Sequence, residues 1–325
     1  MNSINFSLEE AIEIFKGYYS HLGNPIEIKP LENQGINSFN YYIKTQDREI
    51  LLRKYGDFKS YQKKEKVQNS LDFIIKCKEI GVKVPNVIAS SDNKILIEEN
   101  NSFYTCFEYI QGTHNFNKED HKALKSVASS LSNLHKAAKE IGNYGYETQD
   151  ISSELLDEET FEKIKQKLTQ YQEHEQNDFL KLVKEKIAYI KQLTKENNQI
   201  FDQTNLPLQL IHADFHPQNI IFEQDQVKAI LDFDAIKYSQ RVREVGFEIQ
   251  RFCDTKEQAQ IFLESYNSQN QLNQEETIHL KDITIRESLR RISKIISLYV
   301  LEDNDIFVSD LPKQLANLEK TIQIF

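Results

Sequence analysis

Apolar and polar residues alternate with a period of two through the first third of the chain. The runs IEIKPL (26–31), SFNYYIKT (38–45) and EILLRKYG (49–56) read as short strands, parted by polar turns that include Gln46-Asp47-Arg48. Ahead of them, Ser7-Leu8-Glu9-Glu10 has the form of a capping box and predicts a helix to about His21. A second helix is predicted from Ser60 to Ile80, ended by Gly81. KVPNVIAS then returns to extended chain, because Pro85 pushes Val84 out of helical geometry. KILIEE and SFYTCFEYI complete a strand-rich region, residues 1–110.

After Gly112 the period lengthens to that of a helix. Leu124, Ala128, Leu131 and His135 fall on one face, as do Phe179, Val183, Ile187 and Ile190, and then Ile285, Leu289, Ile292, Ile296 and Tyr299. These stripes are expected to be core, with His135 a hydrogen-bonded buried histidine. The Gln/Glu-rich patch from Gln170 to Gln176 reads as a solvated connection. The pattern predicts an α+β protein of two lobes: a small antiparallel-sheet lobe over 1–110 and a larger helical lobe over 111–325. FEYIQG (107–112) stands at the junction.

Composition narrows the function classes. The 325 residues carry a net charge of −10, which argues against a nucleic-acid partner, since phosphate contacts need a basic patch. Cys77, Cys106 and Cys253 are widely spaced, with no CxxC pair, and read as buried small hydrophobes in a reducing compartment. No run approaches the ~18 apolar residues of a membrane span. The acidic N-terminus, with Glu9, Glu10 and Glu13, is unlike a signal peptide. A cytoplasmic protein with no membrane partner is expected, as a monomer or homodimer.

The chemistry concentrates in LIHADFHPQNIIFEQDQVKAILDFD (210–234). Leu208–Ile211 is a strand candidate feeding the polar loop HADFHPQN, and Ile220–Phe222 and Val227–Leu231 flank a hairpin turn. The hairpin would bring Asp214 and Asn219 near Asp232. Such oxygen donors suit a hard cation such as Mg2+, and an aspartate at the loop's start suits deprotonation of a substrate hydroxyl. The spacing His212-x-Asp214-x4-Asn219, with Asp232-Phe233-Asp234 thirteen residues later, follows the protein-kinase arrangement for phosphoryl transfer.

HADFHPQNIIF, ILDFDA, FEYIQG, ILLRKYG and LSNLH together resemble the aminoglycoside phosphotransferase and choline kinase family, small-molecule kinases of the protein-kinase-like fold. The resemblance implies a bilobal fold with ATP and Mg2+ in the cleft and a small-molecule hydroxyl acceptor against the helical lobe. It implies Asp214 as catalytic base, Asn219 and Asp232 as Mg2+ ligands, Asp234 as a further metal or acceptor group, and His212 as a brace of the loop. Gly35, Asn37 and Ser38 would belong to the phosphate-covering loop, and Glu108, Tyr109 and Ile110 to the adenine-binding hinge. On the third strand Arg53 takes the place usual for lysine, with Lys54 on the opposite face. Its implied carboxylate partner is Glu65, with Asp72 as rival. Glu244 stands where the family has a bracing aspartate. Glu244, Glu248 and Asp254 lie in the implied acceptor region, whose acidity would suit an aminoglycoside.

Two other readings stay open on the residues alone. His212, Asp214 and His216 offer transition-metal ligand chemistry, as in a metallohydrolase. A non-catalytic nucleotide-binding module of the same fold is the second. Among kinase acceptors, aminoglycosides, amino alcohols, homoserine and sugars all remain; the chain has no tryptophan for a choline-type aromatic box.

Overall fold

A computed structural model describes residues 6–31, 38–56, 61–143, 145–146, 148, 155–170, 177–201 and 204–325, without the side chains of 61–63 and 201. The predicted Gln170–Gln176 connection lies, apart from Gln170, outside the described residues. The described chain falls into two compact units. One comprises Met1–Phe116, Lys136–Tyr146 and His212–Ile236; the other comprises Asn117–His135, Glu147–Ile211 and Lys237–Phe325.

In the first unit, α1 (Leu8–Tyr18) precedes β1 (Glu27–Pro30), β2 (Ser38–Lys44) and β3 (Glu49–Tyr55). The chain continues through α2 (Tyr61–Glu79), β4 (Val87–Ile88), β5 (Ile97–Glu99) and β6 (Ser102–Glu108). The strands form one antiparallel sheet in the order β1-β2-β3-β6-β4, with β5 also on β6. Ser7 Oγ accepts from Glu10 N–H at 3.1 Å and starts α1. The expected reciprocal bond of a capping box gives way to tertiary contacts: Glu10 takes Lys54 Nζ at 2.7 Å and the Tyr104 hydroxyl.

Pleating divides β3 between two environments. Ile50 and Leu52 join Ile14, Phe15, Tyr41, Ile43 and Cys106 in the core beneath α1. Leu51, Arg53 and Tyr55 face the other way, into a cavity of about 500 Å3. The late segment of this unit adds β8 (Ile220–Glu223) and β9 (Gln226–Ile230), an antiparallel hairpin.

The second unit is mainly helical: most of α3 (His121–Ile141), then α4 (Glu158–Gln170), α5 (Asp178–Phe201), α6 (Arg241–Phe252), α7 (Lys256–Asn267), α8 (Gln274–Glu302) and α9 (Leu311–Ile324). The predicted stripes enter its core, where Phe179, Val183 and Ile190 meet Leu289, Ile292 and Ile296. The short strands β7 (Leu208–Ile211) and β10 (Lys237–Gln240) pair antiparallel in this unit. His212–Ile236, the segment between them, belongs to the first unit. No described helix is long and apolar enough to cross a membrane.

Candidate active site

The polar loop is built on His212. Its Nε2 donates to Leu231 O at 2.9 Å, and its Nδ1 accepts from Asp214 N–H at 3.2 Å. A carbonyl only accepts and a backbone amide only donates, so these partners select the neutral Nε2–H tautomer. Phe215 and Phe233, both buried, pack on the ring with centroids 6.0 and 4.6 Å away. The phenylalanine framed by two aspartates is therefore an anchor, and Phe73 of α2 holds its other side at 6.0 Å. With both nitrogens turned to the main chain, His212 has no lone pair for a transition metal. Among the described residues no group of three His, Cys, Asp or Glu side chains could hold a metal ion. The metallohydrolase reading loses its ligand set.

The turn Pro217–Asn219 then aims one carboxamide at the first aspartate. Asn219 Nδ2 lies 3.0 Å from Asp214 O, 3.1 Å from Asp214 Oδ2 and 3.2 Å from His216 Nε2. That nitrogen is committed, and Oδ1 is the oxygen of Asn219 left for a cation. His216 Nε2 also stands 3.3 Å from Asp214 Oδ2. Leu231 N–H donates to Asn219 O at 2.8 Å, which ties this turn to the residue before Asp232. Ala213 and Asp232 both adopt left-handed backbone, with φ of 64° and 60°. Non-glycine residues are held there only at a cost, and such positions cluster at functional sites.

Arg53 links the sheet to this segment. Its Nη1 lies 3.3 Å from Asp232 Oδ1 and 3.4 Å from each oxygen of Asp234, while its Nε donates to Asn40 Oδ1 at 3.0 Å. Asn40 is the cross-strand partner of Arg53 on β2, a buried polar residue whose position in SFNYYIKT was its only signal. Burial opposes the charge on Arg53, but Asp234 and Asp232 outweigh it and raise its pKa. Burial lifts the Asp234 carboxyl to about 6; Arg53 opposes the rise and Asp232 adds to it. One guanidinium thus faces two carboxylates. An all-oxygen donor set with surplus negative charge fits a hard divalent cation. Lys54, on the opposite strand face, is paired with Glu10.

The structure does not bring every expected residue to this cluster. Glu65 is exposed on α2, and Asp72 accepts from Gln68 Nε2 at 3.2 Å. Neither is a partner of Arg53, whose guanidinium is already occupied by Asp232 and Asp234. Gly35 and Asn37 lie outside the described residues; Ser38 is buried opposite Tyr55.

The rest of the cavity lining mixes an apolar wall with polar residues such as Lys29, Ser70 and His114. Leu51, Ile74, Pro85, Phe107, Ile221 and Leu231 form the apolar wall. Of the hinge amides, Glu108 N–H donates to Asn86 O at 2.9 Å and Tyr109 N–H to Glu49 O at 3.1 Å. Ile110 N–H has no such partner among the described residues. Gly112 follows as the chain crosses the hairpin, where a Cβ would stand 2.6 Å from Phe222 O. Thr113 and Phe222 exchange main-chain hydrogen bonds of 3.0 and 2.7 Å there.

In the helical unit His135 is fully buried, its Nδ1 2.7 Å from Tyr266 Oη and its Nε2 2.8 Å from Glu244 Oε2. Glu244 therefore braces the histidine of LSNLH. Glu248 is paired with Arg251 at 3.1 Å, and Asp254 with Lys118 and Lys320 at 2.8 and 2.9 Å. Each of the three carboxylates expected in an acceptor region holds a neighbouring side chain. All three cysteines are buried free thiols, and burial pushes Cys253 up to about 12.

Against known proteins, the model of the phosphotransferase enzyme family (APH) matches residues 27–275. The chain belongs to this family. Among curated proteins it is 23% identical over 281 residues to the homoserine kinase of Zymomonas mobilis, covering 82% of this chain and 80% of that one. It is 21% identical over 276 residues to the homoserine kinase of Methylobacillus flagellatus, covering 83% and 78%. Among solved structures, an amicoumacin kinase in complex with AMP-PNP, Ca2+ and Ami superposes with a TM-score of 0.65 at 15% identity, over 98% of this chain and 95% of that one. The fold is the bilobal protein-kinase-like fold of this family. Like other members, the protein is a phosphotransferase acting on an alcohol group of a small molecule.

Proposed function

We propose that the protein transfers the γ-phosphoryl group of ATP, in the presence of Mg2+, to the hydroxyl of a small molecule. The observation that carries this reading is the Arg53–Asp232–Asp234 cluster, which lines the same cavity as Leu51, Ile74, Phe107, Ile221 and Leu231 and is tied through Leu231 and Asn219 to Asp214. Adenine would lie among Leu51, Ile74, Phe107, Ile221 and Leu231, with Ile110 N–H as the donor left for a ring nitrogen. Arg53 would take the phosphates. Asn219 Oδ1, Asp232 and Asp234 would hold the cation; bound Mg2+ would offset negative charge on the transferring phosphoryl group.

Asp214 receives the proton. As the acceptor oxygen bonds to the γ-phosphorus, the bridging bond to the β-phosphate breaks with ADP leaving, and the hydroxyl proton passes to the Asp214 carboxylate. Asn219 Nδ2 steadies that carboxylate through Oδ2. His212 acts from behind, holding Asp214 N–H and Leu231 O in place. The acceptor is drawn from amino alcohols, homoserine, aminoglycosides and sugar-like molecules, and the two curated homoserine kinases make L-homoserine the first to try.

The test is ADP release across such a panel, with Asp214→Asn as the blank. Loss of the base should cut turnover by about 10²–10⁴-fold while an ATP analogue still binds. A variant that releases ADP as fast as wild type would exclude Asp214 as the base.

A further inference from the structure

In the helical unit, α6 and α8 bring together several arginines, of which Arg291 on α8 ion-pairs Glu287 without a hydrogen bond from its Nε. Glu287, buried on α8, accepts from Arg243 Nε at 2.7 Å and from Arg290 Nε at 3.1 Å. Arg251 Nη1 donates to Glu248 at 3.1 and 3.2 Å. Arg291 stands 3.6 Å from Glu287 Oε1, beyond hydrogen-bond reach, and its buried Nε has no partner among the described residues. Its guanidinium lies 4.0 Å from the centre of the half-buried Phe247 ring, and that of Arg251 lies 4.5 Å from the same ring. Burial lowers the Arg291 pKa; Glu287 opposes this, and Arg251 and Arg290 add to it. Arg243, Arg251, Arg290 and Arg291 share two buried carboxylates, Glu248 and Glu287, and a further anion would offset the remaining positive charge. Both side chains remain open to solvent, Arg291 at 31% and Arg251 at 21%.

We infer that the α6–α8 face centred on Arg291, flanked by Arg251 and Phe247, binds the carboxylate or phosphate group of a small molecule. The planar fork of Arg291 offers paired donors to two oxygens, and Phe247 holds that fork in one plane. Two sources can supply the anion: the acceptor's own carboxylate, a source that rests on the phosphotransferase reading, or free inorganic phosphate, which does not.

The two are separated by thermal-shift and calorimetric titration of the full chain with L-homoserine, with 3-aminopropan-1-ol, and with inorganic phosphate at constant ionic strength. The second ligand is the first without its carboxylate. Wild type should respond to L-homoserine or to phosphate, and not to 3-aminopropan-1-ol. Response to homoserine names the acceptor as source, and response to phosphate alone names a free anion. Arg291→Gln should weaken the response about tenfold or more, with circular dichroism and ATP-analogue binding unchanged. Should that variant fold poorly, Arg251→Gln reads the same site from its other guanidinium and must also weaken binding. Equal response to homoserine and 3-aminopropan-1-ol with none to phosphate would overturn the inference, as would undiminished anion binding in the variants. Anion binding without ADP release on any acceptor would leave the site standing and count against the proposed activity instead.

Discussion

Arg53 is held by oxygen-bearing side chains from two elements, Asn40 on β2 and Asp232 and Asp234 beyond β9, and only a planar fork spans them. Lysine would keep the charge but could not bridge the carboxamide and both carboxylates. Arg53→Lys should therefore raise the KM for ATP roughly tenfold while leaving Tm near wild type. Arg53→Met removes the counter-charge altogether and should cost roughly 2 kcal/mol of stability, because two neighbouring carboxylates lose their partner. Initial-rate kinetics and urea unfolding check both. If the lysine variant keeps the wild-type KM, Arg53 is a structural ion pair and nothing more. The motif residues were legible because phosphoryl-transfer chemistry demands particular side chains at short, fixed spacings. The pairing of Arg53 with Asp232 and Asp234 was not, because they lie far along the chain and no local rule relates them. The expectation of Glu65 on α2 came from the family resemblance, with no contact between side chains behind it.

At the scale of elements, period and turn chemistry carried most of the fold. The strand runs at 26–56 and 94–110 and the apolar stripes on α3, α5 and α8 all appear where the pattern placed them. What the pattern did not contain is how polar faces pair across elements, as in the bond from His135 on α3 to Glu244 on α6. The packing of α6 on α8 is a similar case, since it encloses Glu287 among arginines. Burial raises the pKa of Glu287, but Arg243, Arg290 and Arg291 more than offset it and hold the carboxyl well below the usual carboxylate range. A carboxyl depressed in the folded state adds stability above its ordinary pKa of about 4.3 and loses it as pH falls toward the folded value. Glu287→Gln should therefore be less stable than wild type at pH 7, by roughly 3 kcal/mol. The gap should narrow as pH falls below about 4.5. Urea unfolding at a series of pH values measures this, and two parallel stability curves would show that the ionised Glu287 contributes nothing particular.

For the whole molecule, the order of the chain and the order of its compact parts differ. Local texture changes at FEYIQG, so a sequence pattern divides the chain there, yet the sheet-bearing unit also draws on Lys136–Tyr146 and His212–Ile236. The late segment is integral to that unit. It supplies Ile221, Leu231 and Asp232–Asp234 to the cavity, and Phe233 to Phe73 of α2. Its hairpin receives Lys83 Nζ at Val227 O, and Ile230 N–H donates to Lys83 O, at 2.7 and 2.8 Å. A fragment of residues 1–116 would leave Phe73, Ile74 and Phe107 facing water on one side of the sheet, with Arg53 stripped of both aspartates. Such a fragment should melt without a cooperative transition and bind no ATP analogue. Residues 1–146 joined by a flexible Gly/Ser linker to 212–236 should recover both properties in part, because every segment of the unit is then present. Circular dichroism melts and analogue titration of the two fragments decide the matter. A cooperative melt with nucleotide binding in 1–116 alone would mean that the strand-rich region is a self-sufficient domain, and that the hairpin is needed only for catalysis.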